Sequence, residues 1–260
     1  MTNLFKNLYK YRELLKTNIK KDIRGRYKGS FLGVLWSFIN PLLQVVVYWI
    51  VFPYLMGGAM ENYLIYLITG LIPWNFFLTA ITGGTTCIKG NAGIVNKVYF
   101  PREILPISVV ASSLVNFFIS CLIIMVFLLG SGVGISYHII LVPVIAIVEA
   151  TLALGLVFIL SAVDVYIQDL ENIVQFILSM MMYGTPILYQ LSQFSPESTL
   201  YKFVSLNPMT TIINCYRDAF MYHQWIDWKS LGLVFLLSIV LVIVGYSLFR
   251  KLEKGFAEQL

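Results

Sequence analysis

Long uncharged apolar runs alternate along this chain with short polar stretches. From Phe31 to Phe52 no charged residue occurs, ~33 Å of helix at about 1.5 Å per residue, which matches a hydrocarbon core about 30 Å thick. Similar runs recur at about 62–88, 104–129, 139–163, 172–189 and 229–249. An α-helix satisfies its own backbone polar groups in hydrocarbon, so the pattern predicts six transmembrane helices. Ahead of them Leu4, Leu8, Tyr11, Leu15, Ile19 and Ile23 recur at helical spacing, with Lys6, Lys10, Lys20 and Arg24 on another face. This spacing predicts an amphipathic helix over 1–30, lying along the interface with its apolar face toward acyl chains. Between the fifth and sixth runs, residues 190–227 are too apolar for a free loop. Short helices that re-enter or lie at the outer interface are expected there, one of them capped by Asn207 with Pro208 in its first turn. The predicted fold is an all-α polytopic membrane protein with a single six-helix domain over 31–260.

Composition removes the soluble alternative. With 58% of residues hydrophobic and 12% charged, too little polar surface remains to clothe a large soluble helical protein. Six spans within 260 residues leave little material for a separate globular domain. The first apolar run is longer than a signal-peptide core and no small-residue cleavage pattern follows it, so it reads as an uncleaved anchor. Cys87, Cys121 and Cys215 have neither zinc-ligand nor CxxC spacing and read as packing residues. Of the 18 lysines and arginines, all but Lys202, Arg217 and Lys229 fall in the arm, the 89–103 loop or the C-terminal tail. The positive-inside rule makes that face cytoplasmic, with both termini on the cytoplasmic side of an inner-membrane, multi-pass protein.

Polar residues inside the spans mark candidate function, because each must find a partner or water. Trp36, Asn40, Gln44 and Tyr48 lie four apart on the first span, and Asn172, Gln175 and Ser179 do likewise on the fifth. Both stripes read as a substrate path, offering amides as hydrogen-bond partners and aromatic faces for apolar contact, with helix packing as the competing reading. Ser108, Ser112, Asn116 and Ser120 on the third span read as close helix packing. Glu149, near mid-membrane, is either a functional acid or a hydrogen-bonded structural one. Arg24, Arg26 and Lys28, next to the first span, are placed to attract the phosphates of an anionic lipid substrate.

The stretches RGRYKGSFLGVLWSFINP, ENYLIYLITGLIPWNFF from Glu61, NKVYFPREILP from Asn96 and LNPMTTIINCYRDAF from Leu206 resemble the membrane subunits of type-2 ABC exporters. More narrowly, they are similar to the permeases that export lipid-linked polysaccharides such as O-antigens and teichoic acids. The resemblance covers essentially the whole chain, in order. It implies a homodimer paired with two copies of a separate ATP-binding cassette subunit, moving a lipid-diphosphate-linked glycan outward among membrane lipids, with no nucleic-acid partner. No GxxxxGK[ST] loop occurs here, so ATP and magnesium are expected on the partner and this chain is not itself an enzyme. The resemblance further implies a coupling segment at about 89–101, where Ile94, Val95, Val98, Tyr99 and Phe100 supply an apolar insert for the ATPase, flanked by Lys97 and Arg102. The arm is a second candidate contact, and Asp164, Asp169 and Glu171 are expected to pair with Arg26, with Lys28 or with the ATPase. The resemblance also implies outer gate helices at about 190–227, with Asn207, Pro208 and Arg217 as gate residues. An exporter of drugs or small hydrophobic compounds and a proton-coupled carrier remain the competing readings.

Overall fold

The computed structural model describes residues 2–27, 36–55 and 61–260, and every regular element in them is helical. Lys28 and the side chain of Arg26 lie outside the described residues, so their expected lipid-phosphate role has no structural account. In chain order the helices are α1 (Thr2–Lys10), α2 (Arg12–Tyr27), α3 (Trp36–Leu55), α4 (Tyr63–Thr85), α5 (Ala92–Val95), α6 (Ile104–Gly130), α7 (Val142–Asp164), α8 (Leu170–Tyr183), α9 (Thr199–Leu206), α10 (Pro208–Arg217), α11 (Trp228–Leu252) and α12 (Phe256–Gln259). Four stretches of the described residues are long and apolar enough to cross a membrane: Tyr63–Thr85, Ile104–Gly130, Tyr137–Asp164 and Trp228–Gln259. The apolar stretch of α3 runs over Ile39–Phe52; its expected start, 31–35, lies outside the described residues. The fifth expected run is cut short, since α8 has 14 residues, ~21 Å of helix. Pro186 disfavours helix at Thr185, and the chain leaves α8 at Gly184 to wrap the start of α4.

The threonine hydroxyls of α4 are satisfied within their own helix. The hydroxyls of Thr69, Thr79, Thr82 and Thr85 in α4 each donate to the carbonyl four residues back, at 2.7–2.8 Å, so hydroxyls inside an apolar helix leave no bare donor. The most extensive helix contact is that of α7 with α11, and glycine permits it. A Cβ at Gly155 would stand 2.8 Å from Leu241 Cβ and 2.9 Å from Val242 N, and one at Gly245 would stand 2.5 Å from Gly155 O. Small residues let helix backbones approach where water supplies no driving force.

The core has two parts, which define the ends of the bundle. At one end the terminal turns of α4, α7 and α11 and the first turn of α6 meet the arm in an aromatic cluster including Phe100, Phe158, Phe249 and Phe256. The larger part fills the middle and the far end, where α10 packs against α4, α7 and α11. The arm departs from its expected form in two ways. It breaks at Tyr11 into two helices, and Leu8, Tyr11 and Leu14 pack on the aromatic cluster rather than facing acyl chains. Asn7 Nδ2 donates to buried Glu103 Oε1 at 2.9 Å, and Lys21 Nζ to Asn91 Oδ1 at 3.2 Å, so polar bonds tie down the arm's edges. Its charged face, with Lys16, Lys20 and Arg24, stays exposed.

Candidate substrate path and energy-input surface

A cavity of about 340 Å³ opens between α3, α4 and α6. Trp36, Asn40 and Gln44 come from successive turns of α3, Asn75 and Thr79 from the middle of α4, and Asn116 and Ser120 from the middle of α6. Asn75 Nδ2 donates to Gln44 Oε1 at 3.4 Å, and Gln44 Nε2 to the Tyr48 hydroxyl at 3.4 Å. Phe76 and Phe117, with ring centroids 5.3 Å apart, form an aromatic wall. Among the described residues the lining carries amides, hydroxyls and rings and no charged group, which suits a ligand rich in hydroxyls and lacking a fixed charge.

Three of the predicted path residues, Trp36, Asn40 and Gln44, meet in this cavity, and Tyr48 joins through its bond to Gln44. Asn172 and Gln175 do not. They are exposed on α8, where Gln175 Nε2 donates to Glu171 Oε1 at 3.2 Å. The third-span stripe divides. Ser108 and Ser112 are buried and bond the carbonyls of Leu105 and Val109 at 2.8 and 2.9 Å, as packing residues do, whereas Asn116 and Ser120 line the cavity. Asn75 and Thr79 went unnoticed in the sequence, although a polar pair one turn apart in the centre of an apolar run was the available signal.

At the arm end the segment joining α4 to α6 holds α5 and a turn that ends at Pro101. Ile94, Lys97, Val98 and Tyr99 are exposed, Tyr99 by 98%. Val95 and Phe100 turn inward and are buried in the aromatic cluster, so the expected apolar insert shrinks to Ile94, Val98 and Tyr99. Arg102 does not flank it freely: Nη1 donates to Glu253 O at 2.6 Å and the guanidinium lies 5.7 Å from the Phe256 ring centroid. Asp164, expected to meet Arg26, Lys28 or a partner, is buried with Lys89 Nζ at 3.2 Å from Oδ1. Asp169 and Glu171 remain exposed.

At the far end the hairpin of α9 and α10 is locked to the 184–189 segment. Asn207 caps α10, its Oδ1 accepting from Met209 N at 3.0 Å, and its Nδ2 donates to Gly184 O and Thr185 Oγ1 at 3.2 and 2.9 Å. Pro208 starts the helix, where its missing N–H costs nothing. Arg217 is 2% exposed. Its guanidinium donates to Pro186 O at 2.7 Å, Ile187 O at 3.2 Å and Tyr66 O at 3.5 Å, and stacks 3.5 Å from the Tyr66 ring centroid. A Cβ at Gly70 would stand 2.9 Å from Nη2, so that glycine makes room for the cation. The hydroxyls of Tyr63 and Tyr66 close the lock, bonding Leu188 O at 2.9 Å and Tyr189 O at 2.7 Å.

Glu149 is fully buried in α7 and accepts a 2.8 Å bond from the Tyr216 hydroxyl of α10 at Oε2; Oε1 has no hydrogen-bond partner among the described residues. It ties α10 to α7. Cys87, Cys121 and Cys215 are free and buried.

A model of the ABC-2 type transporter family matches residues 13–221, a span that takes in the cavity, the exposed 94–99 surface and the Arg217 lock. The chain is 35% identical, over the whole of both sequences, to the O-antigen export system permease protein RfbA of Myxococcus xanthus. It is 35% identical to the O-antigen export system permease protein RfbA of Klebsiella pneumoniae over 95% of this chain and 94% of that one. To the polysialic acid transport protein KpsM of Escherichia coli it is 22% identical over 90% and 92% of the two. By that span and that identity the chain belongs to the ABC-2 type transporter family.

Proposed function

We propose that this chain is the transmembrane subunit of an ATP-driven exporter that moves a lipid-linked cell-surface polysaccharide across the cytoplasmic membrane. The observation that carries the reading is the uncharged cavity of amides, hydroxyls and rings set among apolar helices, in a chain similar from end to end to O-antigen export permeases. Weak repeated contacts of that kind hold a polymer without trapping it. The arm end is cytoplasmic by its excess of basic residues. The exposed Arg24, with Arg26 and Lys28 beside it in sequence, meets the lipid phosphates, and Ile94, Val98 and Tyr99, flanked by Lys97, meet a separate ATPase subunit that holds ATP and magnesium. A second copy of the chain faces α8, bringing Asn172 and Gln175 to the path.

Deleting the gene in its own host tests this reading. The expected result is loss of surface polysaccharide with its lipid-linked precursor accumulating in the inner leaflet, both restored by the gene in trans. Unchanged surface polysaccharide in the deletion strain contradicts it.

A further inference from the structure

The far end carries a second polar concavity, of about 380 Å³, beside the Arg217 lock. Its walls include Gln190, Ser192, Asn214, Arg217, Asp218 and Tyr222. None of these is a path residue, and its chemistry differs from that of the mid-bundle cavity. Here a guanidinium and a carboxylate stand among amides, a hydroxyl and a phenol ring.

Two backbone features mark the same place. Residues Asp218–Tyr222 form a π-helical turn, an arrangement that sacrifices regular α-bonding and concentrates at functional sites. The turn is stopped by His223 at φ 53°, a left-handed conformation uncommon outside glycine. Asp218 and Tyr222 reach the concavity from this turn and Asn214 from the end of α10 just before it, and Tyr222 is 46% exposed. Arg217 is buried with no carboxylate at ion-pair distance among the described residues, and its Nε has no hydrogen-bond partner there. Asp218 Oδ1 is held by Gln224 Nε2 at 2.7 Å, which sets the carboxylate's direction.

Such a set selects among ligands. An apolar compound would desolvate the Asp218 carboxylate and the amides of the wall without replacing their bonds to water, which is costly. A fully anionic ligand would meet Asp218. A neutral polyol suits the set, since a hydroxyl can donate to the Asp218 carboxylate and accept from the amide of Gln190 or Asn214, while the Tyr222 ring covers the apolar side of the sugar. We propose that this concavity binds a sugar unit of the exported glycan as it leaves the membrane, an inference that rests on the polysaccharide-export reading.

The test uses the full-length chain with its ATPase in lipid nanodiscs. The native cysteines are buried, so a Ser192→Cys change at the rim accepts a fluorinated thiol label selectively. The probe is a set of short oligosaccharides released by mild acid from the host's own surface polysaccharide, followed by fluorine NMR. Saturable shifts are expected, with binding on the order of tenfold weaker in an Asn214→Ala, Tyr222→Ala double variant and near the starting affinity in Tyr222→Phe, which keeps the ring. Absence of a saturable shift, or equal binding by the double variant, overturns the subsite. If that occurs while gene deletion abolishes surface polysaccharide, the export reading stands alone. If deletion leaves surface polysaccharide intact, both fall.

Discussion

Arg217 shows how a charge is kept inside an apolar hairpin. Three carbonyls and an aromatic face receive its guanidinium, a planar fork that a lysine ammonium cannot copy. Arg217→Lys is expected to destabilise the chain by ~1–3 kcal/mol for each carbonyl left bare, read as earlier loss of the monodisperse peak on heating in detergent; an unchanged profile would show that the lock is dispensable. Gly70→Ala should act in the same direction, because its methyl meets Nη2. Glu149 makes a gentler case. An amide accepts the same Tyr216 hydroxyl, so Glu149→Gln should retain stability and export, whereas Glu149→Leu leaves a buried phenol unpaired at a cost of ~1–3 kcal/mol. Export abolished by Glu149→Gln, with the fold intact, would instead assign the acid a titrating role.

Among the elements, the crossing of α7 and α11 is the most sensitive joint. Gly155→Leu places atoms where Leu241 and Val242 backbone already stand, and since helix backbones do not yield as side-chain ends do, loss of folded protein is expected in the membrane fraction. Normal accumulation would mean the helices can part. The α5 turn is expected to fail differently. Tyr99→Asp changes a side chain exposed to solvent and should leave the chain folded while abolishing stimulation of the partner ATPase; retained stimulation would remove this surface from coupling. Phe100→Asp buries a charge in the aromatic cluster and would confuse the two effects. The helical class was legible in the sequence because apolar runs of membrane length leave no other solution, and the cap at Asn207 and Pro208 was legible because capping is local chemistry. The burial of Val95 and Phe100 was not, since a short turn between helices has no period to reveal which side faces in. Nor was the arm's partner, because lipid and an aromatic cluster select the same amphipathic face.

At the scale of the molecule, the two ends are built from different materials. The arm end is held by side-chain ion pairs and hydrogen bonds, Lys89 to buried Asp164, Arg250 to Glu253 at 3.0 Å and the Asn7 amide to buried Glu103. The far end is held by a buried cation bonded to backbone and by tyrosine hydroxyls. Between them lies the cavity, lined in part by α4 and α6, the two helices that the 94–99 segment joins; on the proposed reading these helices carry a motion from that segment to the path. Glycan carriage by this cavity is measured in proteoliposomes holding the chain and its ATPase, by following ATP-dependent appearance of the lipid-linked glycan on the far leaflet. A Gln44→Leu, Asn75→Leu double variant should assemble and hydrolyse ATP yet translocate at least about tenfold more slowly, since the amides that meet the hydroxyls are gone. Translocation at the unaltered rate would contradict the account and place the path elsewhere.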